Sequence, residues 1–188
     1  MNAYLASERQ RQQTRVAFGQ YLAPAQIERL AANPELLSLG GDMREVTILF
    51  CYIRGFTAMS ESLSAQELTQ LVNRFLPAMS GAILDFRGTI DKYIGDCVMT
   101  FWKAPLDNPA HAWQACKAAL SMRVRLRQLN EELLAEAANG APSIGTIKMG
   151  VGINTGQCCV GNMGSEQRFN YSVLGDNANL AACFDEDT

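Results

Sequence analysis

Gly88-Thr89-Ile90-Asp91-Lys92-Tyr93-Ile94-Gly95-Asp96-Cys97-Val98-Met99-Thr100-Phe101-Trp102 is the stretch on which the fold turns. Two strand-like runs, Gly88–Ile94 and Cys97–Trp102, flank the dipeptide Gly95-Asp96. That gap is the spacing of a tight antiparallel hairpin. Upstream, Val46-Thr47-Ile48-Leu49-Phe50-Cys51 is β-branched and apolar without strict alternation, which predicts a central strand buried on both faces. Ile53-Arg54-Gly55-Phe56-Thr57 then turns the chain. Ser60 or Ser64 is placed to cap a long helix, with Glu67 at capping-box spacing from Ser64. Leu68, Leu71, Val72, Phe75, Leu76, Met79 and Ile83 make one apolar stripe on it, and Pro77 predicts a kink.

Downstream of the hairpin, a second helix is expected from Pro109 to Ala138. Its predicted inner face is Ala112, Cys116, Ala119, Met122, Leu126, Leu129 and Leu133, and Asn139-Gly140 stops it. Ile147–Ile153 follows as a strand whose glycines alternate with apolar residues, so that another element can approach closely. Cys158–Val160 and Phe169–Val173 are two further short strands, and Gly175–Phe184 begins a helix. The order β-α-β-β-α-β, then more strands, predicts an α+β fold of the ferredoxin-like kind, an antiparallel-rich sheet with flanking helices.

The 188 residues suffice for one domain and a short appendage. Hydrophobic residues make up 48% and charged residues 19%, which supports a sizeable core and argues against wholesale disorder. Sixteen basic against nineteen acidic residues give a net charge of -3, the wrong balance for a general nucleic-acid binder. No apolar run reaches the roughly 20 residues of a membrane span, so no membrane contact is expected of this segment. The polar, Arg/Gln-rich start, Met1 to Arg15, lacks the apolar stretch of a secretion signal.

Six cysteines are present without a CxxC pair, and the single His111 has no second imidazole to share a zinc ion. Cys51, Cys97 and Cys158 lie in or beside apolar runs as small hydrophobes. That usage predicts a reducing, cytoplasmic location. Residues 1–40 read as a helical leader or connector. Ile27, Leu30 and Ala31 are the apolar positions of a short amphipathic segment that follows Pro24.

The individual chemical signals are weak. An Asp beside Gly is a common turn residue, and a strand lysine is commonly solvated. A glycine-containing turn after a buried strand exposes N–H groups that can hold phosphate oxygens, but many such turns hold nothing. Asp176 in Gly175-Asp176-Asn177-Ala178-Asn179 can be an ordinary helix cap. Their order along the chain carries more. Phe50–Thr57, Gly88–Asp96, Val151–Gly156 and Val173–Ala182 together closely resemble the class III nucleotidyl cyclase catalytic domain. Leu36–Val46 resembles the lead-in of bacterial members. The resemblance spans roughly residues 20–184, and the catalytic domain is expected over 41–188, with a short C-terminal part.

The resemblance implies conversion of a nucleoside triphosphate, ATP or GTP, into a 3′,5′-cyclic nucleotide and pyrophosphate. It also implies sites at the interface of a homodimer or heterodimer of cyclase domains, and two Mg²⁺ or Mn²⁺ ions. Two aspartates normally hold those ions. The second matches Asp96, and the place of the first holds Tyr52. Lys92 matches the lysine at the purine edge, and Ser172 a second base-reading residue. A hydroxyl there favours ATP weakly. Ile53, Gly55, Phe56 and Thr57 match the phosphate turn. Asn179 matches the asparagine that orients the ribose, and the place of the arginine that stabilises the transition state holds Cys183. A neutral phenol is a poor ligand for Mg²⁺, and a thiol cannot offer a fork of donors. These departures give an alternative reading, a degenerate cyclase-homology module that dimerises, binds nucleotide and regulates. Many bacterial relatives are output domains of membrane receptors, which would make the leader a relay.

Overall fold

A computed structural model describes residues 41–142, 144–165 and 168–183, together with Ile27. The remainder of the expected leader at 1–40 lies outside the described residues. The elements run β1 (Asp42–Ile53), α1 (Phe56–Ser62), α2 (Ala65–Asp85), β2 (Thr89–Ile94), β3 (Cys97–Trp102), α3 (His111–Ala138), β4 (Met149–Ser165), β5 (Arg168–Leu174) and α4 (Asp176–Cys183). The strands form one antiparallel sheet in the order β2-β3-β1-β4-β5. Its first four positions have the order of a ferredoxin-like β-α-β-β-α-β unit, and β5 extends it.

β1 is the central strand, and its side chains alternate between two cores. Leu49, Cys51 and Ile53 join Leu71, Phe75, Met79 and Ile83 of α2 and Met122, Leu126 and Leu129 of α3 on one face. Val46 and Ile48 join Met99, Phe101, Val160, Val173 and Ala181 on the other, with Ile27 packed against that second cluster. Truncating a fully buried anchor such as Phe75 removes about 3–5 kcal/mol.

Helix α2 starts where its sequence places it. Ser64 caps it in a full capping box with Glu67, and the helix continues through Pro77 to Asp85. A separate short helix, α1, precedes it where the sequence reading has only a turn. Helix α3 begins at His111, and its first two turns bury His111, Ala115 and Ala118, while Ala112 and Cys116 are exposed. The expected stripe was one position off there. Alanines on every side of that segment give no contrast to fix the phase, and Met122, Leu126, Leu129 and Leu133 fix it only further on.

The largest departure is β4. Two short strands were expected within 147–160, and one strand of 17 residues is found. Thr155 and Gly156, which lie between the two expected strands, are paired with β1, opposite Thr47 and Val46. A side chain at 156 would meet that of Asn177, which lies where a Cβ would be. Ile147 lies outside the strand, with its N–H and C=O both bonded to the Asn130 side chain, at 2.8 and 2.9 Å.

The sheet curls until its two outermost strands meet. A bulge in β2 between Ile90 and Lys92 turns Asp91 toward β5, where its carboxylate accepts a 2.7 Å bond from the Ser172 hydroxyl. That contact brings the end of the fold against its hairpin.

Candidate active site

Three groups of the expected residues occupy defined places. At the hairpin tip, Gly95 has φ +63, a conformation that favours glycine, and Asp96 follows it. The Asp96 carboxylate accepts a 2.8 Å bond from the backbone N–H of Ile53, which ties the tip to the end of β1. Counting along a strand would put Asp96 on the face of Lys92, but the turn directs it toward β1 instead.

The Ile53–Thr57 turn starts from that anchored strand end. Arg54 N–H donates to Lys148 C=O at 2.9 Å, and Gly55 adopts φ +70 with open space where a side chain would stand. Phe56 packs against the first core while Thr57 is exposed, and no side chain caps α1. Backbone and hydroxyl donors are thus presented at the surface beside Asp96.

Tyr52 lies one residue before this turn, opposite Gly150 in the β1–β4 ladder. Its ring covers Gly150, in the volume a Cβ there would need. A carboxylate at 52 would put a hard anion next to Ile53, the residue to which Asp96 is bonded. The phenol instead puts an aromatic face against a glycine. Among the described residues no group of three or more His, Cys, Asp or Glu side chains gathers into a metal site. One carboxylate and one phenol do not fit a two-ion site.

The second group is Lys92 with Ser172. They come from the two outermost strands, 80 residues apart, and Lys92 Nζ donates to Ser172 Oγ at 3.2 Å. Sequence reasoning missed the residue beneath them. Asp91 has no exposed side-chain surface, and its Oδ2 also lies 3.4 Å from Val173 N–H. Lys92 Nζ stands 3.4 Å from Oδ1, close enough for an ion pair, yet Oδ1 has no hydrogen-bond partner. Burial pushes the Asp91 carboxyl up, and Ser172, Lys92 and Val173 pull part of the way back. The available signal was a carboxylate between Ile90 and Lys92 in an otherwise strand-like run.

The third group is on α4, which follows Gly175 at φ +146. Asn177 buttresses its start by accepting from Asn154 at 3.1 Å and donating to Gln157 C=O at 3.0 Å. Asn179 and Cys183 are exposed one turn apart, and so share a face of the helix. All six cysteines are free thiols. Among the described residues no helix is long and apolar enough to cross a membrane.

The profile of the adenylate and guanylate cyclase catalytic domain matches residues 41–187. The chain belongs to that family. It is 34% identical over 139 residues to adenylate cyclase 1 of Rhizobium meliloti (strain 1021), covering 74% of this chain and 20% of that protein. It is 33% identical over 161 residues to an adenylate cyclase of Anabaena cylindrica, covering 86% of this chain and 30% of that protein. The chain therefore spans a third or less of these curated relatives. Among solved structures it is similar to the guanylyl cyclase Cya2, with TM-score 0.71 and 35% identity over 77% of this chain and 71% of the other. The adenylyl cyclase CyaB from P. aeruginosa gives TM-score 0.69 and 38% identity over 77% and 72%. The α+β cyclase fold expected from the sequence is the one found, and the family generally uses divalent metals.

Proposed function

We propose that this chain is the catalytic domain of a nucleotidyl cyclase that takes ATP in preference to GTP, at a site shared between two cyclase domains. The supporting observation is the Lys92–Ser172 pair, brought together from opposite edges of the sheet over one buried carboxylate. In this reading the 3′-oxygen of the ribose bonds to the α-phosphorus. The bond from that phosphorus to the bridging oxygen breaks, its electrons leave with pyrophosphate, and the hydroxyl proton passes to solvent.

Lys92 and Ser172 face the purine edge, and Asn179 orients the ribose. In the turn that Ile53 opens, Gly55, Phe56 and Thr57 hold phosphate oxygens through N–H and hydroxyl donors. Asp96 anchors that turn through Ile53. The Mg²⁺ or Mn²⁺ pair expected from the family has no matching donor set at Asp96 and Tyr52. Cys183 leaves developing negative charge without a guanidinium, so turnover by two copies of this chain is slow. Residues 41–188 make up the catalytic domain and 1–40 a connector, and the family match supports the first of these bounds. The domain serves as a cytoplasmic output module of a longer signalling protein.

A second reading is a mixed pair, favoured by the placement of Tyr52 across Gly150. There this chain supplies Lys92, Ser172 and Asn179, and another cyclase domain supplies two metal-binding carboxylates. The test is incubation of the purified chain with ATP or GTP and Mn²⁺, with scattering to give the mass in solution. Cyclic AMP forming faster than cyclic GMP, from a species of twice the chain mass, is the expected result. Product only after addition of a domain carrying both carboxylates selects the mixed pair. No product under either condition overturns both and leaves a dimerising regulatory module.

A further inference from the structure

We propose that Asp91 is a positioning residue that fixes the donor–acceptor order of the Lys92–Ser172 pair and thereby favours adenine over guanine. The inference rests on the reading of Lys92 and Ser172 as the purine-facing pair, and it adds a residue to which that reading assigns nothing.

The argument begins with proton counting. A serine hydroxyl has one proton and two lone pairs. Ser172 Oγ gives its proton to Asp91 Oδ2 at 2.7 Å and accepts from Lys92 Nζ at 3.2 Å. One lone pair remains, and no proton. A carboxylate has only lone pairs, so Asp91 cannot return one, and Ser172 is held as an acceptor toward any further partner. The ammonium of Lys92 has three protons. One goes to Ser172, one is drawn to Asp91 Oδ1 at 3.4 Å, and the third is left to give. The pair therefore offers a donor beside an acceptor.

Adenine matches that order with its N1 acceptor beside its 6-amino donor. Guanine held in the same pose has the reverse, an N1–H beside an O6 acceptor. Both contacts then set like against like, and unmatched polar groups in a closed site reduce affinity on the order of tenfold or more. Without the carboxylate, the Ser172 hydroxyl is free to rotate and donate, and the order is no longer imposed.

A sheet fastener alone would not need this residue type. Asp91 is wholly buried, its Oδ1 lacks a hydrogen bond, and an oxygen left so is costly in a dry interior. Its side chain touches Lys92, Ser172 and the Val173 N–H, which are the two base-facing groups and the backbone beside one of them.

The experiment titrates the full chain with the α,β-methylene analogues of ATP and GTP, which cannot be cyclised. The readout is the ratio of the two dissociation constants in wild type, Asp91→Ala, Ser172→Ala and the double variant. The wild type is expected to prefer the adenine analogue by about tenfold. Each single variant should bring the ratio close to one, and the double variant should move it no further, because Asp91 acts through Ser172. An unchanged ratio in folded Asp91→Ala overturns the inference while the nucleotide reading stands. Failure of the wild type to bind either analogue overturns the nucleotide reading itself, and the inference with it. Should Asp91→Ala not fold, Asp91→Val fills most of the same space with no acceptor for the Ser172 hydroxyl, so the ratio should again fall. If neither variant folds, Asp91 is a fastener of the sheet only, and the inference is overturned.

Discussion

The ring of Tyr52 lies across Gly150, its partner in the ladder between β1 and β4, and fills the space a side chain at 150 would require. Each residue thus sets what the other can be. Gly150→Ala should destabilise the fold by about 1–3 kcal/mol, the usual effect of overpacking a filled site. Most of that loss should disappear in a Tyr52→Ala background. Chemical denaturation of the four members of the cycle measures the coupling, and additive losses would show that the ring does not hold this position.

Tyr52, together with Cys183, also sets a prediction for turnover. Tyr52→Asp with Cys183→Arg restores an anionic ligand and a planar cation. Cyclic nucleotide formation with Mn²⁺ should rise by roughly 10²-fold or more, since a single preorganised charge stabiliser contributes about 10²–10³. The two gains need not multiply. A rate unchanged from wild type would mean that neither position bears on the chemistry.

Asp91 makes a prediction about stability that runs against the intuition for a buried hydrogen-bonding residue. Burial holds its carboxyl above the ordinary 3.8, so the folded state takes up the Asp91 proton more readily than the unfolded chain does. Its contribution is fully present below about pH 3.8 and is lost as pH rises through the folded value. Asp91→Asn, uncharged throughout, should therefore melt at or above wild type at pH 7. The difference should close as the pH falls toward 4. A clear loss at pH 7 would show that the carboxylate's bonds outweigh its burial.

His111 works in the opposite sense. Burial, and after it the charge of Lys103, lower its pKa below 6.5, with Glu45 opposing. Its ring Nδ1 is 2.7 Å from Thr47 Oγ1, which links the start of α3 to the central strand. The unfolded chain binds the proton first, so stability is fully present above about pH 6.5 and falls as pH drops toward the folded value. His111→Gln should flatten the melting temperature between pH 6.5 and 5. A parallel decline in both proteins would place the acid sensitivity elsewhere.

How far the sequence carries can be judged element by element. The hairpin was readable because Gly95-Asp96 sits between two apolar runs, and β1 because a continuous β-branched run suits a strand covered on both sides. β4 was legible only in part, because the expected strands ended at Ile153 and resumed at Cys158, and it is the pairing with β1 that carries the residues between them. Resemblance alone pointed to Lys92 and Ser172. Their meeting depends on the curl of the whole sheet and on a bulge at Asp91, and no local pattern encodes either. Tyr52 was visible as a departure, but what its ring does was not, since Gly150 lies on another strand.

A single carboxylate fastens the first strand of the hairpin to the last strand of the sheet. The seam it closes behaves as a clasp. Displacement of β5 must therefore carry Asp91 and Lys92 of β2 with it or break these bonds, so the two margins of the sheet are held as one unit.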